Sequence, residues 1–264
     1  MDKAPLTEHL GELRNRIVVT LIAVAVAFAG CFYYSEVLFR ILISPLHNTL
    51  VFSLQSPYLS ISAYKNPDIE LVFLAPAEAI WMHIKIAFIG GFIICSPLIF
   101  FEIWRFVSPG LLKQEKKYAL PFVFTTTFLF LIGALFCFAI VLPFAMNFLL
   151  SYKTENLKPM LSVGKYVDFC LKFILAFGAI FELPVITVFL TRMGIVTPEF
   201  LAKNRKYAVL IAFVLAALLT PTPDAFNQSL MAIPMVILYE VGIWASKFLD
   251  RKKKKKGDEE KEEG

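Results

Sequence analysis

Six stretches of this 264-residue chain are long apolar runs, at residues 17–38, 77–106, 119–143, 165–190, 207–220 and 229–246. The first four reach the ~20 residues that a helix needs to cross a bilayer. Hydrophobic residues make up 58% of the chain and charged residues only 18%, a balance that excludes an ordinary soluble domain of this length. The runs use nearly the whole chain and leave no room for a soluble catalytic module. The expected fold is therefore all-α: a polytopic membrane protein with six transmembrane helices in residues 1–246, followed by a charged, disordered cytoplasmic tail at 247–264.

Orientation follows from where lysine and arginine fall between the runs. With the N-terminus inside, the cytoplasmic segments hold Lys3, Arg14, Arg16, Lys113, Lys116, Lys117, Arg192, Lys203, Arg205 and Lys206, and the tail adds the run 252–256. The other side holds Arg40, Lys65, Lys153, Lys158 and Lys165. That asymmetry predicts an N-in, C-in chain. Trp81, Trp104 and Trp244 fall near span ends, as an aromatic belt requires. The net charge of +5 is a topology signal, since acidic residues at 258–263 follow the lysine run directly, and nothing in the pattern indicates nucleic-acid binding.

Within the run 169–190 stand Lys172 and Glu182. A carboxylate at the centre of a spanning helix costs about 3 kcal/mol on insertion scales, so it faces other helices, water or a cation. Glu182 either joins helices by a hydrogen bond of about 0.6 kcal/mol or marks a functional polar site in the membrane. Pro97, Pro121, Pro143, Pro184 and Pro234 lie in or at the ends of spans, which predicts bent helices and, with the buried charges, a concave bundle. The last two spans are expected to be short. The run 207–220 measures about 21 Å at ~1.5 Å per residue, against a hydrocarbon core near 30 Å.

At the N-terminus, Leu6, Leu10, Leu13 and Ile17 share one helical face, which suits a short amphipathic helix on the cytoplasmic surface ahead of the first span. Glu12 and Arg16 are spaced for an intrahelical pair of a few tenths of a kcal/mol. The longest connection, 39–76, carries Pro45, Pro57 and Pro67 and lies outside; the first internal loop, 108–117, holds Glu115 among three lysines. Residues 1–16 are polar, so the first apolar run reads as a span and not as a cleavable leader. Cys31, Cys95, Cys137 and Cys170 lie in different spans and read as small buried hydrophobes. Neither G-x-S-x-G, H-E-x-x-H nor a phosphate loop occurs, so no recognisable hydrolytic mechanism is present and neither cofactor nor metal is expected.

From Leu6 to Tyr239 the chain resembles the TatC family, the polytopic receptor subunits of twin-arginine protein translocases. The marks are His9-Leu-x-Glu-Leu-Arg-x-Arg16, Ser44-Pro45-Leu46, Ser96-Pro97, Trp104-Arg-Phe106, Pro109-Gly-Leu111, Glu115-Lys-Lys117 and Phe177-Gly-x-x-Phe-Glu-x-Pro184. Further along come Pro198, Arg205-Lys-Tyr207, Phe213-Val214, Thr220-Pro-Thr-Pro-Asp224 with Gln228, and Leu238-Tyr-Glu240. The resemblance implies six spans in the bacterial inner membrane and export of folded proteins driven by the proton gradient. Cargo is addressed by signal peptides with two consecutive arginines. Partners are the single-span subunits TatA and TatB, further copies of the chain in a multimeric receptor, and the lipid bilayer.

By resemblance, Glu12 and Glu115 form the arginine-recognition site, with Arg16 and Phe106 beside it. Glu182, Gln228 and Asp224 match intramembrane polar or partner-binding positions, and Pro45 a sensitive position in the external loop. A guanidinium fork binds carboxylate in two places at once, whereas lysine keeps the charge and loses the fork. Relative to shorter members, the external loop carries extra residues around 55–69, and Lys113-Gln114 departs from the usual residues before the loop glutamate. The alternative is a proton-coupled secondary transporter with Glu182 as carrier. That reading predicts internal repeats, and the six runs share neither length nor motif. An intramembrane enzyme would lack both nucleophile and base.

Overall fold

A computed structural model of the chain describes residues 6–47, 49–52, 59–62, 70–108, 119–151, 160–220 and 224–262. The helices are α1 (Leu6–Tyr33), α2 (Ser35–His47), α3 (Glu78–Val107), α4 (Ala119–Phe136), α5 (Leu142–Ser151), α6 (Val163–Ile180), α7 (Leu183–Arg192), α8 (Pro198–Lys203), α9 (Arg205–Leu219) and α10 (Ala225–Glu262). Strands β1 (Thr49–Phe52) and β2 (Leu59–Ser62) form an antiparallel hairpin, and β3 (Glu70–Val72) pairs in parallel with β4 (Met160–Ser162). The protein is thus mostly helical. Where the sequence reading treats 1–246 as one body, the packed elements group as two compact units, 1–175 and 176–264.

Among the described residues, five stretches are long and apolar enough to cross a membrane: Leu10–Tyr33, Glu78–Val107, Leu120–Leu150, Val163–Arg192 and Ala225–Leu249. Their outer faces carry apolar side chains such as Leu21, Val26 and Ile94, each at least 60% exposed. Apolar exposure on this scale belongs in lipid. The sixth run forms α9, a helix of 15 residues, short as expected.

In the first unit α1 packs along α3. The two backbones approach closely at Gly91, where a Cβ would stand 2.9 Å from the Phe28 nitrogen; small residues permit this in membranes. Aromatic edges join α3 to α4, with Phe100 and Phe130 centroids 5.6 Å apart and Trp104 and Phe122 at 4.5 Å. Between α4 and α5 a π turn, Cys137–Val141, precedes Pro143. The wider turn relieves the clash of the proline ring with the preceding turn.

Glu78 closes the cap above these helices. Its carboxylate accepts from the Leu74 amide at 2.6 Å, the Gly164 amide at 2.8 Å and the Ser162 hydroxyl. Gly164 is required there, since a Cβ would come within 2.6 Å of the Glu78 Oε1. In the second unit α10 packs on α7, and a Cβ at Gly242 would meet the Thr187 hydroxyl and lie 3.2 Å from the Pro184 Cα.

Four expectations are corrected. Residues 6–17 are not a separate surface helix: α1 runs unbroken from Leu6 to Tyr33, because no proline interrupts it and the Arg16 charge is compensated locally. The first span then ends at the turn residue Tyr34, ahead of the expected Leu38. Pro45 lies in the last turn of α2 and is buried, so it belongs to a helix and not to the loop. The last helix is not short. Asp224 caps it, accepting from the Asn227 amide at 2.7 Å, so it starts before Ser229; its backbone stays helical through the charged tail to Glu262, in keeping with the helix propensity of lysine and glutamate.

Candidate functional site

Glu12 and Arg16 stand one turn apart near the start of α1 and bond at 2.9 Å between Glu12 Oε1 and Arg16 Nη2. Arg16 also reaches across to α3, where its Nη1 donates to Glu102 Oε2 at 3.2 Å. Side-chain exposure falls from 32% at Glu12 through 19% at Arg16 to 8% at Glu102. One guanidinium therefore joins two carboxylates, with a surplus of one negative charge, and Glu12 is the more accessible acid. Burying a lone carboxylate or guanidinium at a helix contact would be costly; pairing them makes the contact tolerable. Thr20, one turn on, satisfies its hydroxyl within the helix by donating to the Arg16 carbonyl at 2.9 Å.

Phe106 lies one turn beyond Glu102 on α3, half-buried, on the same helical face. The chain then enters the segment 109–118. Glu115 lies in it, outside the described residues.

Glu102 is absent from the site deduced from the sequence. Its signal was available: an arginine inside a helix that packs on another needs a buried acid, and Glu102 sits at the matching end of the antiparallel partner. A second interhelical pair was also missed, Lys85 Nζ to Asp168 Oδ1 at 2.6 Å between α3 and α6.

In the second unit, Glu182 occupies the break between α6 and α7, just ahead of Pro184. It is 8% exposed, and its Oε1 is buried without a hydrogen-bond partner among the described residues. Asp224 and Gln228 come together at the start of α10. Asp224 caps the helix, and Gln228 Nε2 donates to the Phe213 carbonyl of α9 at 3.0 Å. Nearer the other end of α9, Arg205 grips Glu240 of α10 through Nε–Oε1 at 2.5 Å and Nη2–Oε2 at 2.9 Å. Two sequence marks that stand 35 residues apart thus form one bidentate contact.

Comparison with known proteins decides the family. The sequence model described as "Sec-independent protein translocase protein (TatC)" matches residues 8–234. The chain belongs to the TatC family. A TatC protein of Desulforapulum autotrophicum is 42% identical over 98% of this chain and 89% of its own length. That of Aquifex aeolicus is 41% identical over 95% of this chain and 98% of its own. A crystal structure described as the twin arginine translocase receptor TatC superposes with a TM-score of 0.76 at 39% identity, covering 91% of this chain and 98% of that one. As a TatC protein, the chain is a membrane-embedded protein translocase component, and the secondary-transporter alternative is not favoured.

The paired geometry has a measurable consequence. Replacing Glu102 by Ala leaves Arg16 at the α1–α3 contact with one carboxylate, and a lost hydrogen bond between charged groups costs about 2 kcal/mol. Thermal unfolding of the detergent-solubilised protein should shift downward in Glu102→Ala, and the double variant Glu102→Leu/Arg16→Leu should recover part of the loss. An unchanged melting temperature in Glu102→Ala would show that the contact contributes nothing.

Proposed function

We propose that this TatC protein is the signal-peptide receptor of a twin-arginine translocase in the bacterial inner membrane. It exports folded cargo with TatA and TatB, in multimeric complexes, at the expense of the proton gradient. The observation that carries the reading is the accessible Glu12 carboxylate, held by Arg16 against buried Glu102 with one negative charge in excess. A carboxylate prepositioned in this way suits a guanidinium fork; Arg16 itself meets it through Nη2. Glu115 supplies the second carboxylate, nine residues beyond Phe106 in the chain. Phe106 offers the apolar contact beside it.

The topology is N-in and C-in with six spans, α9 being the short one. Its 15 residues measure about 22 Å at ~1.5 Å per residue, so the bilayer thins beside it. Glu182 receives a polar group of a partner helix, because its buried Oε1 has no acceptor or donor opposite it among the described residues. Asp224 and Gln228 hold the α9–α10 junction that such a partner would pack against, and Pro45 fixes the end of α2.

Peptide affinity in detergent tests the recognition site. Removing one carboxylate from a charge-assisted contact costs on the order of 2 kcal/mol, so Glu12→Ala or Glu115→Ala should each weaken binding of a twin-arginine peptide at least tenfold. Unchanged affinity in the double variant, with the protein intact, would return both residues to solvated surface charges. For Glu182 the readout is export in cells. Glu182→Gln keeps a hydrogen-bonding group and should retain more export than Glu182→Ala; equal, near-normal export by both would leave Glu182 without a role.

A further inference from the structure

The Lys85–Asp168 pair does not stand alone. It borders an open groove of about 630 Å³ on the first unit, walled by Leu21, Val24 and Phe28 of α1, Phe88 of α3, and Leu171 and Leu175 of α6. Lys172 lines the same groove one turn from Asp168. It is exposed and, among the described residues, makes no hydrogen bond or ion pair. The polar groups therefore sum to one positive charge in a wall that is otherwise apolar. Trp81, also on the lining and exposed, stands one turn ahead of Lys85. A tryptophan near a span end marks the headgroup level, which sets Lys85 about 6 Å deeper at ~1.5 Å per residue. Lysine stems of this length reach back to the interface.

We infer that this groove is a binding site for an anionic phospholipid. One acyl chain lies along the α1 wall, and its phosphodiester is held between the Lys85 and Lys172 ammonium groups. Three observations favour that occupant. An unpaired lysine within an apolar span needs a counter-charge, and a single phosphodiester brings the site to neutrality. Basic pockets between transmembrane helices are suited to acidic headgroups. A groove of this volume, lined almost wholly by apolar side chains, accepts an acyl chain. Asp168 acts as a positioning residue, fixing the Lys85 ammonium at 2.6 Å so that Lys172 remains the variable charge.

Native mass spectrometry of the full-length protein, loaded with chain-matched phosphatidylglycerol or phosphatidylcholine, tests this. The wild type should retain phosphatidylglycerol about fivefold better, the worth of one lysine near a headgroup. Lys172→Gln should abolish that preference while leaving the Lys85–Asp168 pair and the melting temperature intact. Leu21→Trp, which fills the groove from an exposed position on α1, should lower retention of both lipids. Inorganic phosphate should fail to displace bound phosphatidylglycerol, because the chain supplies the rest of the affinity. The same preference in Lys172→Gln as in the wild type would overturn the site. Displacement by free phosphate would reduce it to a simple anion site, and a photoreactive residue at Leu21 that captured polypeptide in place of lipid would assign the groove to a helix.

Discussion

A charge inside a bilayer must be neutralised by something fixed in the protein, and in this chain that requirement organises the contact between its first two long helices. Arg16 sits in a helix that continues without a break into the membrane. It is tolerated because Glu12 meets it from its own helix and Glu102 from α3. The same triad fixes the rotation of α1 against α3, since a helix turned by one residue would take Arg16 away from Glu102. The close approach at Gly91 sets the spacing at which that bond can form. Packing and electrostatics thus specify one arrangement between them.

The other end of α3 is fixed by a different use of the same chemistry. Glu78 gathers the amides of Leu74 and Gly164 and the Ser162 hydroxyl, and so ties the β3–β4 pair to the helix start. In the second unit, Arg205 and Glu240 provide a surface clamp between α9 and α10. This clamp is part-exposed and contributes little stability by itself; its bidentate geometry defines register more than strength. Glu182 differs from all of these. It is buried, and its Oε1 has no bond to anchor it among the described residues, which is why a role in partner binding fits it better than a role in holding the fold.

Much of this was legible in the sequence because membrane crossing is written in length and apolarity. The long spans, the shortness of α9 and the helical class follow from residue counts alone, and the ordered marks from His9 to Glu240 identify the family. What escaped depends on pairing between helices. Glu102 lies inside a run read only as apolar, and its importance emerges when α3 is laid against α1. Local capping was equally hidden: hydropathy starts the last span at Ser229, whereas the Asp224 carboxylate allows the helix to begin at Ala225. Pro45 read as a loop residue because proline signals a break, yet it is accommodated in the final turn of α2. Glu12 and Arg16 were seen as a pair, and only the third member gives them a defined orientation.

In the proposed recognition site, Glu12 is held in place to receive an arginine fork. A double-mutant cycle between protein and ligand tests it most directly: the affinity of wild type and Glu12→Ala for a twin-arginine signal peptide and for its twin-lysine counterpart. If the fork engages Glu12, the loss caused by the lysine peptide should be larger in the wild type than in Glu12→Ala, where only Glu115 still tells a fork from an ammonium, with a coupling energy above about 1 kcal/mol. Strictly additive losses would mean that the two groups do not meet, and the recognition site would have to be sought elsewhere on the protein.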